Sequence, residues 1–432
     1  MHYFGTDGIR GKAYVTLTES LAIKVGKSLS LIENNKVIIG YDTRESNHML
    51  ADGISLGARS VNKDVFDIGV IPTPGLAYIS LKEKCIGIMI TASHNPYFDN
   101  GIKIFVNGIK LSNIQELQIE EFLDNNDDYI ENKNNGSYKY DESYKHIYID
   151  YLKSLLNVSS LKVGADLANG ATYDVFNNIF ANKVNNLFIT ANTPNGKNIN
   201  ENVGSTHIKN ISNLVKENNL DIGFSFDGDG DRMLVVDNEG ILHTGDEIIY
   251  VLASYLKENN KLTNNKVVLT IMSNLGIIDC FKEKGIDVVT TSVGDQYVLE
   301  EMMKNNYIIG GENSGHLIQL DYLPTGDGML ASIMLLNVLN ETNKTLKELT
   351  SELKIYPDKL VNLRVKDKNI IKNELILNKV NEIINLYDKN IQLIVRASGT
   401  EDLVRVSCCY SDYDIMNNIV DEMVNLIKSM DK

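Results

Sequence analysis

Three short apolar runs recur along the chain: Lys36-Val37-Ile38-Ile39-Gly40, Leu161-Lys162-Val163-Gly164-Ala165 and Lys266-Val267-Val268-Leu269-Thr270. Each leads into a small-residue loop and then a stretch with helical spacing. Runs of this length and character predict strands buried on both faces of a parallel sheet. A second candidate strand follows each run, at residues 64–68, 186–190 and 287–291, and a third at 86–90, 221–226 and 307–311. The pattern predicts three related α/β units of roughly 100 to 125 residues each, a repeat at the scale of whole domains.

Helix signals fit the same frame. Thr16-Leu17-Thr18-Glu19 reads as a capping box, and Leu21, Val25, Leu29 and Ile32 then recur at helical spacing. Ser112-Asn113-Ile114-Gln115 opens a second helix in the same way. Residues 124–144 are polar and rich in Asn, Asp and Lys, which predicts a surface excursion. Tyr356-Pro357 marks a last boundary, because proline stops a helix. Beyond it, residues 360–365, 391–395 and 403–410 read as strands and 416–427 as a helix, a small α+β domain. The expected division is 1–150, 151–242, 243–355 and 356–432.

Composition narrows the class. The chain has 432 residues, 43% hydrophobic and 23% charged, which suits a folded chain of several domains and excludes a mainly disordered one. Lys plus Arg is 42 and Asp plus Glu 57, a net charge of −15, so nucleic acid and anionic lipid are repelled on average. An anionic ligand must then be held by local groups. No window approaches 18 consecutive apolar residues, and the first residues lack the basic-then-apolar pattern of a secretory signal. Four cysteines, Cys85, Cys280, Cys408 and Cys409, make no disulfide framework and contain no Cys-x-x-Cys. Cys408 and Cys409 are adjacent in a strand-like run, so their side chains point to opposite faces; a buried structural role and a reducing cytoplasm are expected.

The loops after the third strand of each unit carry the unusual residues. They are Thr91-Ala92-Ser93-His94-Asn95-Pro96, Asp227-Gly228-Asp229-Gly230-Asp231-Arg232 and Gly311-Glu312-Asn313-Ser314-Gly315-His316. Ligands gather at the carboxyl ends of strands in α/β units, so three equivalent loops are expected to face one cleft. Three carboxylates as close as Asp227, Asp229 and Asp231 repel one another unless a cation lies between them, and an all-oxygen set suits Mg²⁺ or Mn²⁺. An EF-hand is excluded: its sixth and twelfth positions require Gly and Glu, and here hold Arg232 and Asn238. A hydroxyl such as Ser93, near His94, Lys103 and a metal, is a nucleophile toward phosphorus, and a phosphoserine there would donate an oxygen to the metal. Glu312, Ser314 and His316 offer donors and acceptors suited to sugar hydroxyls. Arg396-Ala397-Ser398-Gly399-Thr400-Glu401, with Arg405, supplies guanidinium, hydroxyl and backbone groups suited to a phosphate. Neither a Walker loop nor a dinucleotide fingerprint is present.

Together these motifs resemble the α-D-phosphohexomutases end to end. The resemblance includes the opening Phe4-Gly5-Thr6-Asp7-Gly8-Ile9-Arg10-Gly11, the Ser93 loop with Asp99-Asn100-Gly101-Ile102-Lys103, the run Asp227 to Arg232, Gly204-Ser205-Thr206-His207, and the loops at Glu312 and Arg396. The opening motif and Met272-Ser273-Asn274-Leu275-Gly276 point to the branch acting on glucosamine phosphates. The resemblance implies three α/β domains with mixed sheets and a C-terminal α+β domain, in a heart-shaped arrangement around a central cleft. It implies a phosphorylated Ser93, and Mg²⁺ held by its phosphate and by Asp227, Asp229 and Asp231. It places Arg10, His94 and Lys103 near the transferring phosphoryl group, with His94 or Lys103 as general base. It implies substrate contacts from Arg232, Glu312, Ser314 and His316, and a phosphate clamp from Arg396, Ser398, Gly399, Thr400 and Arg405.

The implied reaction interconverts glucosamine 6-phosphate and glucosamine 1-phosphate through a bisphosphate, with hexose 1,6-bisphosphate as activator, in the route to UDP-N-acetylglucosamine and cell wall. A glucose or mannose phosphate mutase on the same scaffold is the alternative, and a non-catalytic sugar-phosphate binding protein the alternative of another class. The expected partner is a small sugar phosphate, with no nucleic acid or membrane, and a homodimer is left open. Four positions depart from the pattern: Tyr41 and Gln296 stand where Arg is usual, and Ala397 and Asp402 where Pro is common. The loss of cations and the added negative charge predict a weaker hold on phosphate.

Overall fold

The computed structural model of the chain describes residues 3–5, 7–129, 136–387, 390–398 and 403–431. It contains two compact units, Met1–Ile271 with Val289–Ser351, and Met272–Val288 with Glu352–Lys432.

The first unit is built from the threefold repeat. In each of its sheets the first strand of the repeat lies between the other two: Lys36–Tyr41, Ser159–Asp166 and Lys266–Thr270. The second strand lies to one side, at Asp64–Val70, Val184–Thr190 and Asp287–Thr291. The third lies to the other side, at Ile86–Ile90, Ile222–Phe226 and Ile309–Gly311. A strand that the apolar runs do not announce follows each third strand and pairs with it antiparallel: Asp99–Val106, Met233–Asp237 and Leu317–Gln319. The sheets are therefore mixed, and each chemistry-bearing loop is the turn of a hairpin at the carboxyl end of a parallel strand.

Burial follows position in the sheet. Ile86–Ile90 and Ile222–Phe226 are buried along their whole length, as their unbroken apolar runs require. Val184–Thr190 is buried only at Val184 and exposes Asn185, Asn186 and Phe188, because it is an edge strand. The first sheet packs Val37, Ile39, Ile88 and Ile90 against Leu50, Ile54 and Val25 of the flanking helices.

Two local expectations are corrected. The first helix, Glu19–Ser28, is capped by Thr18, whose side chain accepts from the Leu21 N–H. Thr16 does not cap it; its hydroxyl oxygen accepts instead from the Lys12 N–H and closes the preceding turn. Residues 124–144 are not all surface excursion: Tyr138–Tyr140 joins the edge of the first sheet beside Asp64–Val70, since an exposed edge needs only backbone partners. The capping box at Ser112 forms as expected, opening helix Asn113–Asn125.

The second unit carries an antiparallel sheet in the order Asp358–Arg364, Leu403–Cys409, Gln392–Ala397, covered by helices Glu374–Leu386 and Tyr413–Met430. All four cysteines are buried and free, and burial pushes the Cys85 and Cys408 thiols up to about 12, which keeps them unreactive. Among the described residues no helix is long and apolar enough to cross a membrane.

Candidate active site

The three loops of the first unit meet, as the equivalent strand ends predict. The Met233 N–H donates to the Gly315 carbonyl at 3.0 Å, and the Gly328 N–H to the Gly230 carbonyl at 3.1 Å. Asn200 donates to the Ser93 carbonyl at 2.8 Å. Gly228 allows the closest approach: a Cβ there would lie 2.5 Å from the Ser93 carbonyl oxygen.

Ser93 is buried and sits at φ 51°, in the left-handed region that a non-glycine residue occupies at a cost. Its surroundings hold it there. Its N–H donates to Thr91 Oγ1 at 2.9 Å, and its carbonyl accepts from Arg44 Nη2 at 2.9 Å. Arg44 is itself buried, paired with Asp42 at 2.9 Å, and donates to the carbonyls of Asn95 and Pro96. Thr91 Oγ1 in turn donates to Asp42 at 2.7 Å. The Ser93 hydroxyl is thereby aimed at the aspartate loop, where it donates to Asp227 Oδ2 at 2.5 Å, with His94 Nδ1 3.4 Å away.

Asp227, Asp229 and Asp231 are all buried, with one carboxylate oxygen of each within 4.8 Å of the others. Burial, reinforced by the charges of Asp231 and Asp229, pushes the Asp227 carboxyl well above the usual carboxylate range. Burial also raises Asp231, but Lys103, His316 and Arg232 outweigh it and hold it well below that range. Asp229 Oδ1 and Asp231 Oδ1 are buried without a hydrogen-bond partner among the described residues. Converging, under-satisfied hard oxygens at a point of mutual repulsion fit a divalent cation of the Mg²⁺ type.

Lys103 lies among these carboxylates, 2.9 Å from Asp229, 3.3 Å from Asp231 and 2.9 Å from Asp7. Burial lowers its proton affinity, yet the charges of Asp229, Asp7 and Asp231 outweigh burial and hold it protonated. His94 is the opposite case. Burial, with the Arg232 and Arg10 charges beside it, pushes it down to about 4, so it is neutral at neutral pH. Arg10 donates to Asp7 at 2.6 Å.

The sugar-facing candidates are brought to the same place. The Arg232 N–H donates to Asp227 Oδ1 at 3.2 Å. Glu312 accepts from the Gly294 N–H at 3.1 Å and from Ser314 Oγ at 3.5 Å. His316 is buried, and its Nε2 accepts from the Gly326 N–H at 3.1 Å, which leaves the proton on Nδ1, 3.8 Å from Asp231 Oδ2. Two of the departing residues turn elsewhere. The Gln296 amide donates to Glu300 and Asn113. Tyr41 is buried, and burial and the Asp67 carboxylate raise its hydroxyl.

The clamp candidates lie in the second unit. Arg396 and Arg405 stand directly opposite in the antiparallel sheet, and burial, then the Arg405 charge, pushes Arg396 down from the ordinary guanidinium value. Like charges placed so oppose each other unless an anion lies between them. Ser398 donates its N–H to the Leu403 carbonyl at 2.8 Å. Gly399, Thr400 and Asp402 lie outside the described residues.

The sequence alone did not single out Asp7, Arg44, Thr73, Lys110 or Asp295. Asp42-Thr43-Arg44 directly follows the first strand, a position where α/β units gather ligands, and that was a usable signal. Thr73, which donates to Asp229 Oδ2 at 2.6 Å, carried none.

Comparison with known proteins decides the family. The chain matches the models of phosphoglucomutase/phosphomannomutase α/β/α domains I, II and III at residues 1–130, 146–240 and 244–356, and of the C-terminal domain at 360–426. The chain belongs to the phosphoglucomutase/phosphomannomutase family. Among its relatives in that family, a phosphoglucosamine mutase of Bacillus cytotoxicus is 42% identical over 444 residues, covering 99% of this chain and 98% of the relative. One from Lactococcus lactis subsp. cremoris is also 42% identical, with the same coverage. A phosphoglucomutase/phosphomannomutase family protein from Burkholderia thailandensis superposes with a TM-score of 0.83 at 21% identity, over 97% of this chain and 96% of that one, and shares the fold. In this mutase family frame, the Ser93 loop belongs to domain I, the aspartate loop to domain II and the Glu312 loop to domain III.

Proposed function

We propose that this chain interconverts glucosamine 6-phosphate and glucosamine 1-phosphate through a phosphorylated Ser93. The observation that carries the reading is the Ser93 hydroxyl, held at strained φ and donating at 2.5 Å into a buried triplet of carboxylates. The full-length identity of 42% to phosphoglucosamine mutases supports the amino-sugar substrate.

In the first half-reaction, phosphorylated Ser93 gives its phosphoryl group to the free hydroxyl of the sugar phosphate. The Oγ–P bond breaks as the sugar O–P bond forms, and the hydroxyl proton leaves to a base. His94, neutral at neutral pH, suits that role better than Lys103, which its carboxylate neighbours keep charged. The bisphosphate then turns over in place, and Ser93 takes the other phosphoryl group by the reverse step. A trace of hexose 1,6-bisphosphate recharges any Ser93 that has lost its phosphate.

Asp227, Asp229 and Asp231 would hold Mg²⁺ with the Ser93 phosphate, and the ion would supply charge neutralisation at the transferring group. Arg10 and Lys103 stabilise the same developing charge. Glu312 and Ser314 orient the sugar. The ammonium of an amino sugar pairs with Glu312, which a neutral hydroxyl at that carbon does less well. Arg396 and Arg405, opposite each other in their sheet, are suited to bind a phosphate.

The test is turnover of glucosamine 1-phosphate, glucose 1-phosphate and mannose 1-phosphate side by side, with Mg²⁺ and a trace of hexose bisphosphate. The amino sugar is expected to lead in kcat/KM by roughly tenfold or more. A lead for glucose or mannose would move the substrate to the neutral hexoses and leave the phosphoserine chemistry standing.

A further inference from the structure

Five charged side chains and His316 close into a ring around the aspartate loop. Lys103 meets Asp7 at 2.9 Å, Asp7 meets Lys110 at 2.6 Å, and Lys110 meets Asp295 at 2.5 Å. Asp295 lies 3.7 Å from His316, His316 lies 3.8 Å from Asp231, and Asp231 returns to Lys103 at 3.3 Å. Cations and carboxylates alternate wherever the charge is fixed. Domain I supplies Asp7, Lys103 and Lys110, domain II supplies Asp231, and domain III supplies Asp295 and His316.

Two members have no place in the transfer chemistry. Lys110 and Asp295 reach the carboxylate triplet only through Asp7, Lys103 and His316, among the described residues. They are nonetheless tightly held: each makes its short contact from a largely buried side chain, with 20% and 17% exposed. An ion pair at this depth is costly to desolvate and is weak evidence for stability, so a role in fixing geometry is the better account of it. The pair is also the one link of the ring that ties domain I directly to domain III.

We infer that Lys110 and Asp295 are positioning residues for phosphoryl transfer: their ion pair locks domain I to domain III and so fixes Lys103, through Asp7, and His316 against the carboxylate triplet. Loss of Lys110 leaves Asp7 with two cations in place of three, and loss of either partner lets the Asp295 side of the ring drift from Asp231. Neither Lys110 nor Asp295 is itself among the sugar or phosphate contacts, so the ground-state complex is affected less than the transfer geometry.

This inference rests on the mutase reading, and the experiment separates the two. Wild-type protein, Lys110→Met, Asp295→Asn and the double variant are assayed for kcat and KM on the sugar phosphate that wild type turns over best, with melting temperature measured beside. A misplacement of about 1 Å can cost roughly a hundredfold, so each single variant is expected to lose about ten- to hundredfold in kcat, with KM changed less than about twofold. The double variant is expected to lose no more than the worse single, because both remove one link. Asp295→Glu keeps the charge and lengthens the arm by one methylene; it guards against misfolding of the others and is expected to lower kcat several-fold with KM unchanged. Additive losses, a rise in KM alone, or a fall in melting temperature with kcat intact would overturn the inference. Absence of wild-type turnover on any hexose phosphate would overturn the mutase reading on which it stands.

Discussion

Arg44 and Ser93 are 49 residues apart in sequence, and the guanidinium of the first donates to the main-chain carbonyl of the second at 2.9 Å. The same side chain reaches the carbonyls of Asn95 and Pro96 and is neutralised by Asp42. One planar fork therefore clamps three carbonyls of the Ser93 loop. Lysine offers no such fork, so Arg44→Lys is expected to lower both turnover and the phosphorylated fraction of Ser93, read by intact mass. Arg44→Met also strands Asp42 as a buried charge, at a cost of about 3 to 5 kcal/mol in urea unfolding. Wild-type phosphorylation in Arg44→Lys would refute the clamp.

Gly228 is the point where the aspartate loop touches the serine loop. A methyl group there would meet the Ser93 carbonyl oxygen at 2.5 Å and Asn200 Nδ2 at 2.8 Å. Gly228→Ala is expected to push the two loops apart and to reduce turnover by roughly a hundredfold while the far-ultraviolet circular dichroism stays unchanged. Activity within a few-fold of wild type would mean that the loop contact can relax without consequence.

The carboxylate triplet predicts a metal requirement with a clear signature. Chelation is expected to abolish turnover and added Mg²⁺ to restore it. Affinity in such sites follows ligand charge, so Asp229→Asn is expected to raise the Mg²⁺ concentration for half-maximal activity by at least about tenfold. Turnover that survives exhaustive chelation would sink the metal assignment.

Asp327 predicts a pH dependence of stability away from the chemistry. It caps helix Gly328–Thr342, accepts from the Tyr148 hydroxyl at 3.0 Å, and is pushed by burial from the ordinary 3.8 up to about 6. The folded chain thus binds this proton more tightly than the unfolded chain. The stability it contributes is complete below pH 3.8 and is lost as pH rises through about 6. Above that, the ionised carboxylate costs of order 3 kcal/mol. Asp327→Asn is therefore expected to flatten the fall in stability between acid and neutral pH, measured by urea unfolding at both ends. An unchanged difference between the two pH values would remove Asp327 as its source.

Much of the site was legible because its chemistry is local. Ser93 and His94 are adjacent, the three aspartates lie within five residues, and the Ser112 cap closes within one turn. Short-range spacing fixes which side chains converge in such cases. Continuous apolar runs likewise marked the parallel strands, since burial on both faces leaves no other pattern. Where two local solutions compete, the pattern misleads: Thr16 and Thr18 are both good caps, and the turn at Lys12 claimed the first.

The sequence by itself determined the repeat, the position of each polar loop at a strand end, and the serine and carboxylates those loops carry. Only the tertiary structure decided that Arg44 lies under Ser93, that Thr73 supports Asp229, and that Lys110 closes a charged ring with Asp295. The reason is physical. Periodicity says which face of an element is buried, but not which distant loop it will meet. Those meetings are set by how three separate sheets pack, and they join residues up to 185 positions apart.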